Sequence, residues 1–293
     1  MQIKESEPLK NKNTMRIGGT ARYFAEITTK EDVKEAHVFA QEKNIPLIIL
    51  GAGSNTIFAD GMIDAFVVRI KSDAISIDGN HVTSGAGKNL ATLINELAGQ
   101  GLDLSTLTGI PGTLGGAIVG NAGQGPKGVW IDSFVKEVEI FQEGEWRTLQ
   151  KEDCDFAYRE SIFKKPEMRG CIIWEAKLDV PQGKPEKIKT TIEELLQKRI
   201  ETQPHAKTSG SCFAALPDGT PAWKLIDEAG LRGLKVGGIQ ISEKHANFLI
   251  NENDASFEDA LAVIKEIQEK IPSLKEIEMR IIHSDGTLNV KED

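Results

Sequence analysis

Eight of the twenty residues from 109 to 128, GIPGTLGGAIVGNAGQGPKG, are glycine. Inside a helix or strand each glycine costs about 0.5–1 kcal/mol relative to alanine. That density therefore excludes an ordinary helix or central strand and predicts a loop whose backbone has a specific purpose. A second cluster, Gly51-Ala52-Gly53-Ser54-Asn55, follows directly on the apolar run 45–50. Glycines behind a strand let backbone N–H groups come close to a phosphate. The dinucleotide fingerprint needs a third glycine opening a helix, whereas Thr56 stands there and IFADG follows it. The segment is thus either a tight turn or a phosphate loop of another kind. Two such loops in different blocks of one chain point to one large ligand, flat or phosphorylated. Pro111 stiffens the second loop, Gly112, Gly115 and Gly116 leave nothing to obstruct that ligand, and Asn121-Ala122-Gly123 offers it hydrogen bonds. A glycine-rich packing hinge is the alternative for this stretch.

Periodicity supplies the surroundings. A strand over 23–27, a helix over 30–43 capped by Thr29 or Thr28 and closed at Lys43-Asn44, and strands over 46–50 and 65–70 make a small α/β unit. The next block is strand-rich, with hairpins about Gly79-Asn80 and Glu143-Gly144, a strand over 171–178, and a helix over 89–100 that places Leu90, Leu93, Ile94 and Leu97 on one face. Pro181, Gly183 and Pro185 interrupt the pattern before a long helix over 188–201. Helices over 222–229 and 256–271 follow, with strand-like 238–241 and 246–250 and an alternating strand over 276–282. The fold class is α+β.

The 35 Lys+Arg against 44 Asp+Glu leave a net charge of −9, which argues against a nucleic-acid partner. No apolar run approaches the roughly 20 residues needed to cross a bilayer. Residues 1–13 are polar with no signal-like stretch, so no membrane partner and a cytoplasmic location are expected. Cys154, Cys171 and Cys212 form an odd set without C-x-x-C spacing, which fits a reducing compartment and three packing thiols. His37, His81, His205, His245 and His283 lack metal-binding spacing, and no metal is expected.

Four further places carry chemistry. Ser211 in Ser209-Gly210-Ser211-Cys212-Phe213 lacks the G-x-S-x-G elbow of a hydrolase, so it is either a turn residue or a proton donor to a developing carbanion. Arg159, behind Tyr158, suits a carboxylate or a salt bridge with Glu160 or Asp155. Glu278, on the opposite face of its strand from Ile277 and Met279, is solvent-facing or an acid. His245 sits in a polar cluster between apolar strands, as a turn residue or a ligand-binding one.

Taken in order, NTMRIGG, LGAGSN, GIPGTLGGA with NAG, YRES, GSCF, AGLRGLKVGG, ISEKHANF and EMRII resemble the UDP-N-acetylenolpyruvoylglucosamine reductase family, also called UDP-N-acetylmuramate dehydrogenases. The resemblance runs from Asn13 to about Ile282. It implies a two-subdomain FAD-binding fold of the vanillyl-alcohol-oxidase type, residues 1–72 and 73–186, with a substrate-binding domain over 187–279. A C-terminal strand and tail over 280–293 would return to the FAD-binding part. It implies FAD held by Gly51, Ala52, Gly53, Ser54, Asn55, Thr56, Gly109, Pro111, Gly112, Thr113, Gly115, Gly116, Ala117, Asn121, Ala122 and Gly123. NADPH would be the reductant in a ping-pong cycle, and the partner a small nucleotide-sugar, UDP-N-acetylglucosamine enolpyruvate, acted on by a monomer. Arg159 would pair with the substrate carboxylate, Glu278 polarise the same region, and Ser211 protonate C2, assisted by Lys207, His205 or a water.

The chain departs from the family in one place. G-S-x-F is commonly followed there by K-N-P or K-R-P, but here Ala214-Ala215-Leu216-Pro217 follows Phe213. Substrate contacts then fall to Tyr158, Lys224, Lys244 and His245. The length matches the shorter branch without an extra tyrosine loop. An FAD-linked alcohol or sugar oxidase, or a flavin-binding protein without turnover, is the alternative.

Overall fold

The computed structural model describes residues 1–125 and 128–288. Pro126 and Lys127 of the expected glycine loop, and residues 289–293 of the expected C-terminal tail, lie outside that range. In chain order the elements are β1 (Lys4–Pro8), β2 (Thr20–Ile27), α1 (Lys30–Lys43), β3 (Leu47–Leu50), β4 (Thr56–Phe58) and β5 (Met62–Ile70). Next come β6 (Ile75–Asp78), β7 (His81–Gly85), α2 (Leu90–Gly99), α3 (Leu114–Val119), β8 (Val135–Gln142), β9 (Glu145–Gln150) and β10 (Ile172–Asp179). The chain continues through α4 (Pro185–Thr202), α5 (Ala222–Glu228), β11 (Lys235–Val236), β12 (Ile239–Ile241), β13 (Leu249–Asn251), α6 (Phe257–Lys270) and β14 (Arg280–Ile282). Two compact units result, one of Met1–Ile3, Ala25–Ala52 and Phe66–Arg199, the other of Lys4–Phe24, Gly53–Ala65 and the chain from Ile200 onward.

In the first unit β3 runs parallel to β5, with Leu47 opposite Phe66. An antiparallel sheet is ordered β6-β7-β10-β8-β9. Helix α1 joins the two through side chains: Phe39 meets Phe66 edge-on at 5.1 Å, His37 meets Phe141 at 5.5 Å, and Lys30 reaches Glu139 at 2.6 Å. Its start is fixed by Thr29, whose hydroxyl accepts from the Asp32 N–H, and its end by Asn44 in the left-handed region. The Asp32 carboxylate in turn accepts from the backbone N–H of Thr28 and Thr29 and from the Thr28 hydroxyl, at 2.8–3.0 Å. Burial by itself would raise this carboxyl, but those donors outweigh it and hold it well below the usual carboxylate range. A depressed folded-state value stabilises the fold above the unfolded carboxyl value of about 3.9 and loses that contribution as pH falls below it. Asp32→Ala is therefore expected to cost about 1–2 kcal/mol at pH 7 in urea unfolding. The gap between wild type and variant should close towards pH 2.

The glycine-rich stretch is not a loop throughout: Leu114–Val119 is a helical turn and a half. Two reasons outweigh the glycine penalty. The Thr113 hydroxyl caps it by accepting from the Gly116 N–H at 3.3 Å. A Cβ on Gly115 would lie 2.9 Å from the Ala86 side chain, so only glycine lets the helix pack so closely.

In the second unit the small sheet β11-β12-β13 carries α6, whose Phe257, Ala260, Val263, Ile264 and Ile267 share a core with Phe213, Ile226, Ile241 and Met279. β14 pairs in parallel with β4, Arg280 opposite Thr56. The expected strand over 276–282 is shorter than its alternation suggested. Glu276 and Glu278 instead bond to Ala214 and Cys212 across one isolated bridge, Phe213 with Ile277. Likewise residues 245–247 belong to a turn, and the strand after them is Leu249–Asn251.

Candidate active site

Gly51, at the start of the first glycine cluster, meets the second cluster within the first unit. A Cβ on Gly51 would sit 2.6 Å from the Thr113 hydroxyl, so the end of β3 rests on the cap of α3. Gly109, at φ +78°, and Gly112, at φ +124°, take backbone conformations that side chains disfavour. The carbonyl of Gly112 accepts from the Leu90 N–H, and that of Thr113 from the Ala117 N–H. Beyond α3, Asn121 is fully buried and spends its side chain on the protein, donating to the Ala157 carbonyl at 2.8 Å and accepting from the Asp132 N–H at 3.2 Å. Ala122 bonds back to Ala117, and Gly123 is pressed against Trp130, where a Cβ would come within 1.9 Å of the indole. Pro111 joins Gly109 to Gly112 in the same segment.

Asn121 thereby anchors the turn that presents Arg159. Ala157 and Glu160 exchange both backbone hydrogen bonds at 3.1 Å, leaving Tyr158 and Arg159 at the tip, with Arg159 in the left-handed region at φ +57°. Ser161 ties the same turn to the last carbonyls of α3, donating to Val119 at 2.7 Å. Trp130 packs on Tyr158 at 5.7 Å, and the Arg159 guanidinium lies over the Tyr158 ring at 5.5 Å. A non-glycine residue held at positive φ costs on the order of 1 kcal/mol and persists only where its surroundings over-determine it. Arg199, at the end of α4, donates to the carbonyl of Gly109. Burial and then the nearby Arg159 charge push its guanidinium below the ordinary arginine range. Two cations in mutual reach beside a glycine-rich backbone form a place where an anion lowers the energy of both.

The segment also accepts a large group sterically. A Cβ on Gly116 would meet only the Thr113 hydroxyl at 3.5 Å, and one on Gly120 only a carbonyl at 3.7 Å. The buried Thr108 hydroxyl has no hydrogen-bond partner among the described residues. Open glycine faces, an unsatisfied buried hydroxyl and two clustered arginines fit the flat, doubly phosphorylated FAD.

In the second unit Gly53 turns at φ +71° and its carbonyl accepts from the Thr14 N–H at 3.1 Å. Ser54 follows it, and Asn55 donates from its side chain to the Glu278 carbonyl at 2.9 Å. Thr56 is buried at the start of β4. Residues 211–214 run between two segments. On one side Ser211 bridges Phe248, and Asn247 accepts from the Phe213 N–H at 3.0 Å and donates to the Phe213 carbonyl at 2.8 Å. On the other, the Glu278 N–H donates to the Cys212 carbonyl at 2.8 Å. The fold thus brings Ser211, Glu278, Asn55 and His245 into one neighbourhood. The Cys212 thiol, fully buried, is pushed far up by burial and by the Glu278 charge; burial likewise pushes Cys154 and Cys171 up to about 12. Such thiols are unreactive packing groups at neutral pH. The turn holding His245 is closed by the Ser242 hydroxyl, which accepts from the N–H groups of Lys244 and His245. Lys244 donates to the Ile200 carbonyl, and Lys224 lies 3.7 Å from Glu228 on α5.

Sequence reasoning missed Arg199 and Asn247. Each acts on a backbone far away in sequence, 90 residues for Arg199 and 34 for Asn247, and no local pattern reports such a contact. Among the described residues no helix is long and apolar enough to cross a membrane.

Comparison with known proteins shows the family and the fold. Residues 21–149 match the FAD binding domain, and residues 203–281 match the C-terminal domain of UDP-N-acetylenolpyruvoylglucosamine reductase. A reductase of that name from Clostridioides difficile is 36% identical over 97% of this chain and 94% of its own. One from Bacillus velezensis is 32% identical over 95% of this chain and 92% of its own. The solved UDP-N-acetylenolpyruvylglucosamine reductase of Thermus caldophilus superimposes with a TM-score of 0.83 at 32% identity, covering 96% of this chain and 99% of that one. On this identity and coverage, the chain belongs to the UDP-N-acetylenolpyruvoylglucosamine reductase family of FAD-dependent oxidoreductases.

Proposed function

We propose that this protein reduces UDP-N-acetylglucosamine enolpyruvate to UDP-N-acetylmuramate in peptidoglycan precursor synthesis, with NADPH as the reductant. The observation that carries the reading is the end-to-end match to reductases of this name, 36% identical over 97% of the chain. When bound, FAD supplies hydride transfer, taking it from NADPH and giving it to the enolpyruvyl carbon. The residues that would hold the cofactor are Gly51, Ala52, Gly53, Ser54, Asn55 and Thr56, and Gly109, Pro111, Gly112, Thr113, Gly115, Gly116, Ala117, Asn121, Ala122 and Gly123. Residues 1–72 and 73–186 are its two subdomains, and 187–279 the substrate domain.

The residues of this chain do the remaining work. Arg159 pairs with the substrate carboxylate, and its charge counts most as negative charge grows there in the transition state. The neighbouring Arg199 strengthens the same field. Ser211 hands its hydroxyl proton to C2, so that hydride and proton together saturate the double bond. The Glu278 carboxylate polarises that region. Tyr158, Lys224, Lys244 and His245 bind the nucleotide-sugar in place of the missing K-N-P. The protein works as a monomer in the cytoplasm, without nucleic-acid or membrane partners.

The test is NADPH consumption by FAD-reconstituted protein. Oxidation that depends on added UDP-N-acetylglucosamine enolpyruvate supports the reading. A protein that retains flavin and consumes oxygen with an alcohol or sugar, but ignores the enolpyruvate, overturns it.

A further inference from the structure

A row of aromatic rings leads away from Ser211 in the second unit. Phe248 bridges Ser211, His245 packs edge-on against Phe248 at 4.6 Å, and Trp223 packs against His245 at 6.4 Å. Phe248 is buried at 7% exposure, His245 is half-buried, and Trp223 at the end of the row is 42% exposed. The Trp223 indole, at the start of α5 and partly open to water, is a ring on which a planar group can stack. Its neighbours are cationic. Lys224 follows it, Lys244 precedes His245, and Arg232, held by Asp227 at 2.6 Å, is near enough to His245 to act on its charge. Burial first, and then Arg232, pushes the His245 imidazole below the ordinary histidine range. Its Nδ1 accepts from the Asn247 N–H at 3.3 Å, which leaves the proton of a neutral ring on Nε2.

We infer that Trp223 is the stacking platform for the uracil of the nucleotide-sugar, with His245 beside it as a neutral hydrogen-bond donor to the base or ribose. The inference rests on the reductase reading above. Arginine and lysine suit the diphosphate, and an exposed indole suits a planar base. Trp223 is thus a binding and specificity residue, making contacts that are equal in ground and transition state.

The experiment is steady-state kinetics of FAD-loaded wild type, Trp223→Ala and Trp223→Phe, together with UDP as a competitive inhibitor. Uniform binding energy appears in KM and leaves kcat alone. Trp223→Ala should raise KM for the UDP-sugar and Ki for UDP by about tenfold or more, the range of a lost base-aromatic stack. Its kcat and its KM for NADPH should stay within about twofold of wild type. Trp223→Phe should recover most of the loss, because a phenyl ring keeps the stacking face. An unchanged KM for the UDP-sugar in Trp223→Ala overturns the proposal, as does a rise confined to KM for NADPH, which would assign the indole to the reductant's base. Wild-type protein inactive on the enolpyruvate would refute the reductase reading instead, a distinct result.

Discussion

Ser211→Ala should lower steady-state turnover by about 10²–10⁴ while the reduction of bound FAD by NADPH keeps a near-normal rate. The separation follows from where the backbone of residue 211 is held. Its bridge to Phe248 and the hydrogen bond from the Cys212 N–H to the Asn247 carbonyl involve main-chain groups only, so deleting Oγ leaves the path of the chain in place. On the proposed mechanism, what disappears is the proton for C2. Rapid mixing resolves the two half-reactions: NADPH bleaches the flavin, and the enolpyruvate restores its colour. A normal second half-reaction would remove Ser211 from the mechanism. Equal loss in both halves would mean that the serine supports the fold instead.

A large structural effect is expected at Gly53. It sits at φ +71°, and an added Cβ would come 2.3 Å from the Lys12 carbonyl oxygen and 2.8 Å from the Asn13 Cα, both of them backbone. Neither can move aside, because the Asn13 side chain, 3% exposed, is itself bonded to the carbonyls of Leu9 and Ile17. Gly61 offers a matched control, with φ +78° and nothing within 4 Å of its Cβ position. Gly61→Ala should carry only the left-handed backbone penalty, about 1–2 kcal/mol. Gly53→Ala adds overpacking of roughly 1–3 kcal/mol. At roughly 2–4 °C per kcal/mol for a chain of this class, the Gly53 variant should melt some degrees below the Gly61 variant. It should also lose FAD on gel filtration. Equal melting temperatures would show that the contact with Lys12 and Asn13 relaxes freely.

Local signals were legible where the physics is local. The Thr29 cap and the Asn44 stop of α1 stand where the sequence placed them, as does the apolar face of α2 with Leu90, Leu93, Ile94 and Leu97 buried. The Glu143-Gly144 turn is confirmed by positive φ at both residues, +51° and +88°. The stretch 109–128 reads as loop alone because glycine counts as a helix breaker, and the contact with Ala86 that makes Gly115 favourable lies 29 positions earlier. Glu276 and Glu278 look like strand residues because alternation records burial, not whether a ladder continues. Motif order disclosed the family, yet it could not disclose that Asn121 braces the Arg159 turn or that Arg199 stands beside it.

Asn247 separates two stretches of this chain that carry different demands. Its side-chain amide imitates a peptide group, meeting both the N–H and the carbonyl of Phe213 as a neighbouring strand would. Register is thereby set at residue 213, upstream of the divergent Ala214-Ala215-Leu216-Pro217. The clamp acts as a firebreak: drift in the four residues downstream is not transmitted to the position of Ser211. Residues 214–217 can be rewritten on one side of this clamp while Ser211 on the other side keeps its address.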